Sequence, residues 1–369
     1  MRDPIKVGVI ADQTGPLSPL GGAQANTAKL VVDEINATGG LLGRRIELLT
    51  EDGASDDARA AAAAAKLVKA DQVDVLLGGI FSSTRQAIKE PAVLEGETLY
   101  IYPEQYEGGE HHPLLFCTGA VPAQQVEPLI PWIMQRTGAR TFYLPSADYI
   151  WPHVMNRKVH EVASANGGRI LGEEYHPIEH DDWAATVQRI NDSGADVVFN
   201  TTVPPGCFAF LAALCESGYT ARGGRVIATY FDENLAAALP PEQIEGLYGC
   251  IDYYQSVSDP FSRALLDRYN RRFPEGPQFS AGSGATGIYR GIRLWEAAVI
   301  EAGSLEQAAV LAALDHARIT EGPGGPAEMV PGQHHLALNV YIAQVRGGAL
   351  QVTESLGAIA PSEPVAAIA

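Results

Sequence analysis

The chain has 369 residues, with 44 Asp plus Glu against 26 Lys plus Arg and a formal net charge of −18. That charge argues against nucleic acid and anionic membrane surfaces as direct partners, because both repel it. A chain this long is expected to form two domains, and none of its apolar runs reaches the ~18–20 residues of a membrane span.

In chain order, IKVGVIA (5–11) reads as a strand buried on both faces, since its apolar character is continuous. The turn DQTGPLSPLGG and an amphipathic helix follow, ended by the glycines of TGGLLGRR. RIELLTEDGA (45–54) is the second strand, and the Ala-rich segment 56–70 a helix with acids first and lysines last, matching the helix dipole. VDVLLGG (73–79), helix SSTRQAIKEPAVLEG and strand TLYIYP (98–103) complete a first set. A second set has strands RTFYLPSA (140–147), RILGEEYHP, DVVFNTT (196–202) and RVIATY (225–230), separated by helices. Helices FSRALLDRYNRRFP and ATGIYRGIRLWEAAVIEAG then return to the first unit, and the C-terminal segment HHLALNVYIAQVRGGALQVTESL forms a hairpin. This alternation predicts an α/β fold of two Rossmann-like lobes with parallel sheets, joined by several hinge crossings. The expected lobes are 1–120 plus 251–330 and 121–250 plus 331–358, with 359–369 as a tail.

Most motifs favour structure over chemistry. GSGATG (282–287) matches G-x-G-x-x-G but lacks the strand before it that a dinucleotide site requires, so it reads as a helix start. His111-His112 and His334-His335 lack the i,i+4 spacing of helical zinc ligands, and adjacent strand residues face opposite sides, so no metal is expected. Cys117, Cys207, Cys215 and Cys250 show no ligand spacing and are expected as buried thiols, with Cys207 and Cys215 on one helix. The acids of 173–182 read as a solvated rim around His176 and His180. No nucleophile–base pair stands out, which argues against an enzyme, and no cofactor is implied.

The expected site lies instead at strand carboxyl ends, where open α/β sheets bind ligands. Ser82 and Ser83 open a helix after VDVLLGG, Tyr102 and Glu104 follow TLYIYP, and Tyr149 and Trp151 follow RTFYLPSA. Thr202 ends DVVFNTT and Tyr230 ends RVIATY. Groups of this kind at five strand ends suggest one interlobe cleft.

The openings IKVGVIADQTGPLSPLGGAQ and DEINATGGLLGRRIELLTEDGASD resemble the type I periplasmic-binding-protein superfamily. SSTRQAI, YIYPEQYEG, SADYIWPHVMN and GPAEMVPGQHHLALNVYIAQVRGGALQV resemble its amide- and urea-binding branch, so the likeness spans nearly the whole chain. That branch contains the cytoplasmic amide sensor of the bacterial amidase operon and urea-transporter receptors. The resemblance implies that Ser82 hydrogen-bonds the ligand and that Tyr102, Tyr149 and Trp151 wall the pocket. Glu104 departs from the pattern, standing where the sensor has threonine, and Ile80 replaces an aromatic. The implied ligand is a short amide or urea, with branched-chain amino acids as the alternative for a transport receptor. Glu104 is expected either to accept N–H groups of the ligand or to pair with Arg85. The implied partner is a transcription antitermination regulator or an ABC permease, and a homodimer is compatible with both. MRDPIKVGVI lacks an apolar leader, which places the protein in the cytoplasm if Met1 is native and outside it if a signal peptide was removed.

Overall fold

A computed structural model describes residues 3–280 and 284–362. The strands are β1 (Ile5–Ala11), β2 (Ile46–Asp52), β3 (Val75–Gly78), β4 (Tyr100–Tyr102), β5 (Leu115–Cys117), β6 (Thr141–Ala147) and β7 (Arg169–His176). They continue with β8 (Val197–Phe199), β9 (Arg225–Ile227), β10 (Tyr248–Ile251), β11 (Arg318–Ile319), β12 (Ala327–Val330), β13 (His335–Arg346) and β14 (Ala349–Ile359). Two parallel arrays result, in the order β2-β1-β3-β4-β5 and β10-β9-β8-β6-β7. β13 stands between them, antiparallel to β10 and bridged to β5 through the pair His335–Cys117. β12 and β14 both run antiparallel to β13. The alternation of strands and helices thus produces the expected α/β architecture.

Local sequence explains the helices and where they change. Asp56 caps helix Asp57–Ala65 by accepting from the Arg59 amide at 2.8 Å. Where the sequence suggests single helices over 56–70 and 82–96, each divides into an α-helix and a wider π turn, Lys66–Ala70 and Glu90–Leu94. In the second turn Pro91 has no N–H to donate, so a change of ladder is a natural response. Strands β4, β8 and β9 are shorter than the apolar runs suggest: Pro103 ends β4, Thr201 keeps only an isolated bridge to Ser146 beyond β8, and the chain turns at Thr229–Tyr230 beyond β9.

The second half of the chain supplies cover for the first array. Helices Pro260–Arg272 and Ala285–Ala302 pack against Ser18–Ala37, and Ala285–Ala302 also lies on β3 and β4. Helix Pro122–Thr137 packs on Ile150–Ala165, β10 and β13. The core is continuous through both arrays, from Ile5 and Val7 to Phe199 and Ile227.

Cys117, Cys207 and Cys250 are buried free thiols, and burial pushes Cys117 and Cys207 up to about 12, which leaves them unreactive. Cys215 shares helix Gly206–Glu216 with Cys207 but is only half-buried, a correction to the expectation of four buried thiols. Its thiol reaches the Glu242 carbonyl of the short helix Pro241–Ile244 at 3.3 Å. Of GSGATG, Gly284 precedes helix Ala285–Ala302, whereas 281–283 and the end of the tail, 363–369, lie outside the described residues. No single helix among the described residues is long and apolar enough to cross a membrane.

Helix Ala285–Ala302 begins against the segment leaving β4. A Cβ built on Gly287 would lie 1.9 Å from the Pro103 carbonyl oxygen, closer than any non-bonded contact allows. Gly287→Ala should therefore push the helix off β4 and cost about 1–3 kcal/mol, the usual cost of overpacking. Denaturant unfolding would read this as a lower midpoint, and an unchanged midpoint would contradict the close approach.

Candidate functional site

The carboxyl ends of both parallel arrays face one gap, and a cavity lies there. It is lined by Leu17, Leu20, Ile80, Phe81, Ser82, Glu104, Gln105, Tyr149, Trp151, Val203, Pro204, Tyr230 and Leu235. The cavity volume is about 60 Å³, room for a small occupant only.

Each wall is placed by a turn out of a strand. After β3 the chain passes through Gly78 at φ +122°, where a Cβ would lie 1.9 Å from the Ile10 carbonyl, so only glycine fits. That turn delivers Ile80 and Phe81 and starts helix Ser82–Lys89 at the gap. β4 delivers Glu104 and Gln105, and β6 delivers Tyr149 and, in the first turn of the next helix, Trp151. Rings from both arrays form an arc. Phe81 meets Tyr149 at 5.8 Å, Tyr149 stacks on Trp151 at 6.2 Å, and Trp151 meets Tyr230 edge-on at 5.8 Å.

Of the eight residues expected at the site, Ser82, Glu104, Tyr149, Trp151 and Tyr230 line this cavity. The other three do not. Ser83 is exposed and its hydroxyl reaches Asp57 at 3.2 Å, because successive helical residues are about 100° apart. Tyr102 is fully buried behind the wall, donating to the Ile80 carbonyl, because the strand's period of two turns it to the far face with Tyr100. Thr202 is buried, its hydroxyl held by Asn200 at 2.7 Å, and it serves the site through its carbonyl, which accepts from Tyr230. The expectations missed Leu17, Leu20, Phe81, Gln105, Val203, Pro204 and Leu235. The visible signal was apolar residues in turns such as GGIFSS and TTVPPG, where solvent-exposed loops carry polar ones.

The polar atoms have defined roles. Ser82 donates to Glu107 at 2.5 Å, and the Gln105 amide oxygen accepts from Gln125 at 2.8 Å. The indole N–H of Trp151 is buried without a hydrogen-bond partner. Arg85 does not pair with Glu104. Its guanidinium binds Glu107 at 2.7 Å, between the rings of Tyr102 and Tyr106. Among the described residues no lysine, arginine or histidine lines the cavity.

Glu104 is 4% exposed, and burial pushes its carboxyl well above the usual range, reinforced by the charges of Asp232 and Asp252. Glu233 is likewise pushed up to about 8, chiefly by burial. Asp252 is itself neutralised by Arg290 and bonded by Thr286 at 2.6 Å, and Asp232 accepts from Ser280 at 2.6 Å. Of the histidine pairs, His334 stacks on Phe116 at 4.0 Å and His335 on Tyr106 at 5.7 Å, whereas His111 is exposed and His112 accepts from the Leu114 amide at 3.2 Å. No cluster that could hold a metal occurs among the described residues. A carboxyl whose folded pKa is raised adds stability in full below its unfolded value, near 4.5, and loses it as pH climbs through the folded value. Thermal unfolding of the unliganded protein should therefore show stability falling above about pH 4.5. Glu104→Gln should flatten that fall and raise the Tm at neutral pH; a Tm lowered by the substitution would contradict an uncompensated buried carboxyl.

The chain is 24% identical over 353 residues to Leu/Ile/Val-binding protein homolog 6 of Brucella abortus, covering 93% of this chain and 88% of that one. Its fold matches an ABC transporter solute-binding protein of R. palustris in complex with 4-hydroxybenzoate, with a TM-score of 0.85, 23% identity and 97% of each chain covered. It also matches the branched-chain amino acid transporter substrate-binding protein of Streptococcus pneumoniae in complex with isoleucine, with a TM-score of 0.84, 19% identity, and 97% and 100% covered. Members of this family are non-enzymatic ligand-binding receptors. The model of the periplasmic binding protein family matches residues 4–349, and the chain belongs to that family.

Proposed function

We propose that this protein is the solute receptor of an ABC importer, working outside the cytoplasm and closing two lobes over a small nitrogen-bearing molecule. The lobes are taken as 1–120 plus 251–330 and 121–250 plus 331–358, with the crossings between them as the hinge. The observation that carries the ligand class is Glu104, a buried carboxyl in an aromatic cavity whose lining has no cation. Among the described residues the carboxyl's one side-chain donor is the amide of Gln24, at a long 3.5 Å, and a ligand that presents N–H groups adds the closer partners that it needs. An amide or urea fits both protonation states. A carboxylic acid meets an amide through two complementary hydrogen bonds, and a carboxylate accepts two N–H groups from urea. The rings of Tyr149, Trp151 and Tyr230 give the ligand van der Waals contact and leave little room for long substituents. Ser82, with the buried N–H of Trp151 opposite, completes the polar set.

The two matched structures are binding proteins of transporters, which favours a permease over a transcription regulator as the partner. A simple aromatic acid such as the 4-hydroxybenzoate of the R. palustris receptor is the poorer fit, since its carboxylate finds no cation in the lining and competes with Glu104 for one proton, whereas an amide suits either protonation state.

A ligand that binds only the native state stabilises it by mass action, by about 2.7 kcal/mol at 100 times its Kd. Thermal-shift measurements at neutral pH should show a raised Tm with urea, acetamide or guanidinium and none with benzoate. A response to leucine with none to the amides would move the ligand to the amino-acid class.

A further inference from the structure

Behind the cavity wall a row of alternating charges runs inward from Ser82. The Ser82 hydroxyl donates to one oxygen of Glu107 at 2.5 Å, and Arg85 donates to the other at 2.7 Å. Arg85 Nε lies 3.9 Å from Glu110, which in turn binds Lys89 at 2.7 Å. The side chains of Arg85, Glu107 and Glu110 are 3%, 4% and 6% exposed, so water does not compete for these bonds. The Arg85 guanidinium carbon sits 5.1 Å from the Tyr102 ring centre and 4.5 Å from that of Tyr106, which fixes its plane.

This row has a consequence for what Ser82 can offer a ligand. A hydroxyl has one proton and two lone pairs, and an ionised carboxylate accepts only. Glu107 is paired with the Arg85 guanidinium through its other oxygen, so the single Ser82 proton is committed to Glu107 and the lone pairs are left for the cavity. Tyr230 is committed in the same sense, its proton held by the Thr202 carbonyl.

We propose that Glu107 is a positioning residue: backed by Arg85, it fixes the Ser82 hydroxyl as a hydrogen-bond acceptor, and the site thereby selects ligands that present N–H over molecules of the same shape that present none. This rests on the cavity being the ligand site proposed above. Urea, acetamide and acetone are nearly isosteric and carry two, one and no NH₂ groups, so they grade this property with little change in size.

The experiment is calorimetry of the full chain with these three probes, on the wild type, Glu107→Gln, Ser82→Ala and the double variant. In Glu107→Gln, Arg85 holds the new amide's oxygen, so its NH₂ faces Ser82 and turns the serine proton toward the cavity. The preference for urea and acetamide over acetone should then fall about tenfold, roughly what one net hydrogen bond is worth, with acetone affinity unchanged. Ser82→Ala should lower the same preference, and adding Glu107→Gln to it should lower it no further. A general loss of structure would weaken all three probes alike, so the ratio separates positioning from damage. If Glu107→Gln does not fold, an undiminished ratio in Ser82→Ala alone overturns the proposal. Unchanged ratios in both single variants, with the wild type still preferring urea or acetamide, overturn it and leave the amide reading standing. A wild type that binds acetone as well as the amides, or none of the three, overturns both.

Discussion

Withdrawing the Glu104 carboxyl from water at the end of β4 is the constraint around which the gap is organised. A charge there faces apolar and aromatic walls, with Asp232 and Asp252 close enough to raise its pKa further. The folded protein meets this cost by holding the proton, and the proposed amide or urea would meet it by supplying N–H donors. The same constraint would then set the selectivity of the site. In a water-poor gap hydrogen bonds are stronger and unpaired polar atoms more costly, so mismatched ligands lose more than they would in water. A ligand shifts the balance between open and closed forms only by its differential affinity for them.

What surrounds that carboxyl is arranged to leave it alone among cations. Arg85, the nearest arginine in sequence, is drawn inward by Glu107 and Glu110 and held between two tyrosines. Arg290 is taken by Asp252 and the Pro323 carbonyl. The acids of YIYPEQYEG therefore divide their work. Glu104 faces the gap, while Glu107 faces the arginine behind it.

The alternation of apolar runs and amphipathic segments was enough to read the two parallel arrays and the return of the late helices to the first, because both depend on local periodicity. The hinge strand β13 was read only as half of a hairpin, since its pairing with β10 and β5 joins residues about a hundred or more positions apart and leaves no local mark. At the site, strand ends predicted the right neighbourhood but not every direction. Ser82 and Ser83 are chemically equal in sequence, and only the helix phase decides that one reaches the gap while the other meets Asp57. Tyr102 and Glu104 share a strand parity, but Pro103 ends the ladder between them, so period two no longer relates their directions. The ligand branch rested on matched residues and not on geometry, and the comparisons support the family without reaching that branch.

β13 is hydrogen-bonded to β10 through Ile342 and Tyr341 and touches β5 through His335, so a single strand belongs to both arrays. Its pairing with β14 slips at Val340/Tyr341, just where it enters the second array. Such an irregularity adds local twist to an otherwise stiff ribbon. The walls that carry Ser82 and Trp151 are therefore joined through the backbone of one shared strand as well as facing each other across the gap.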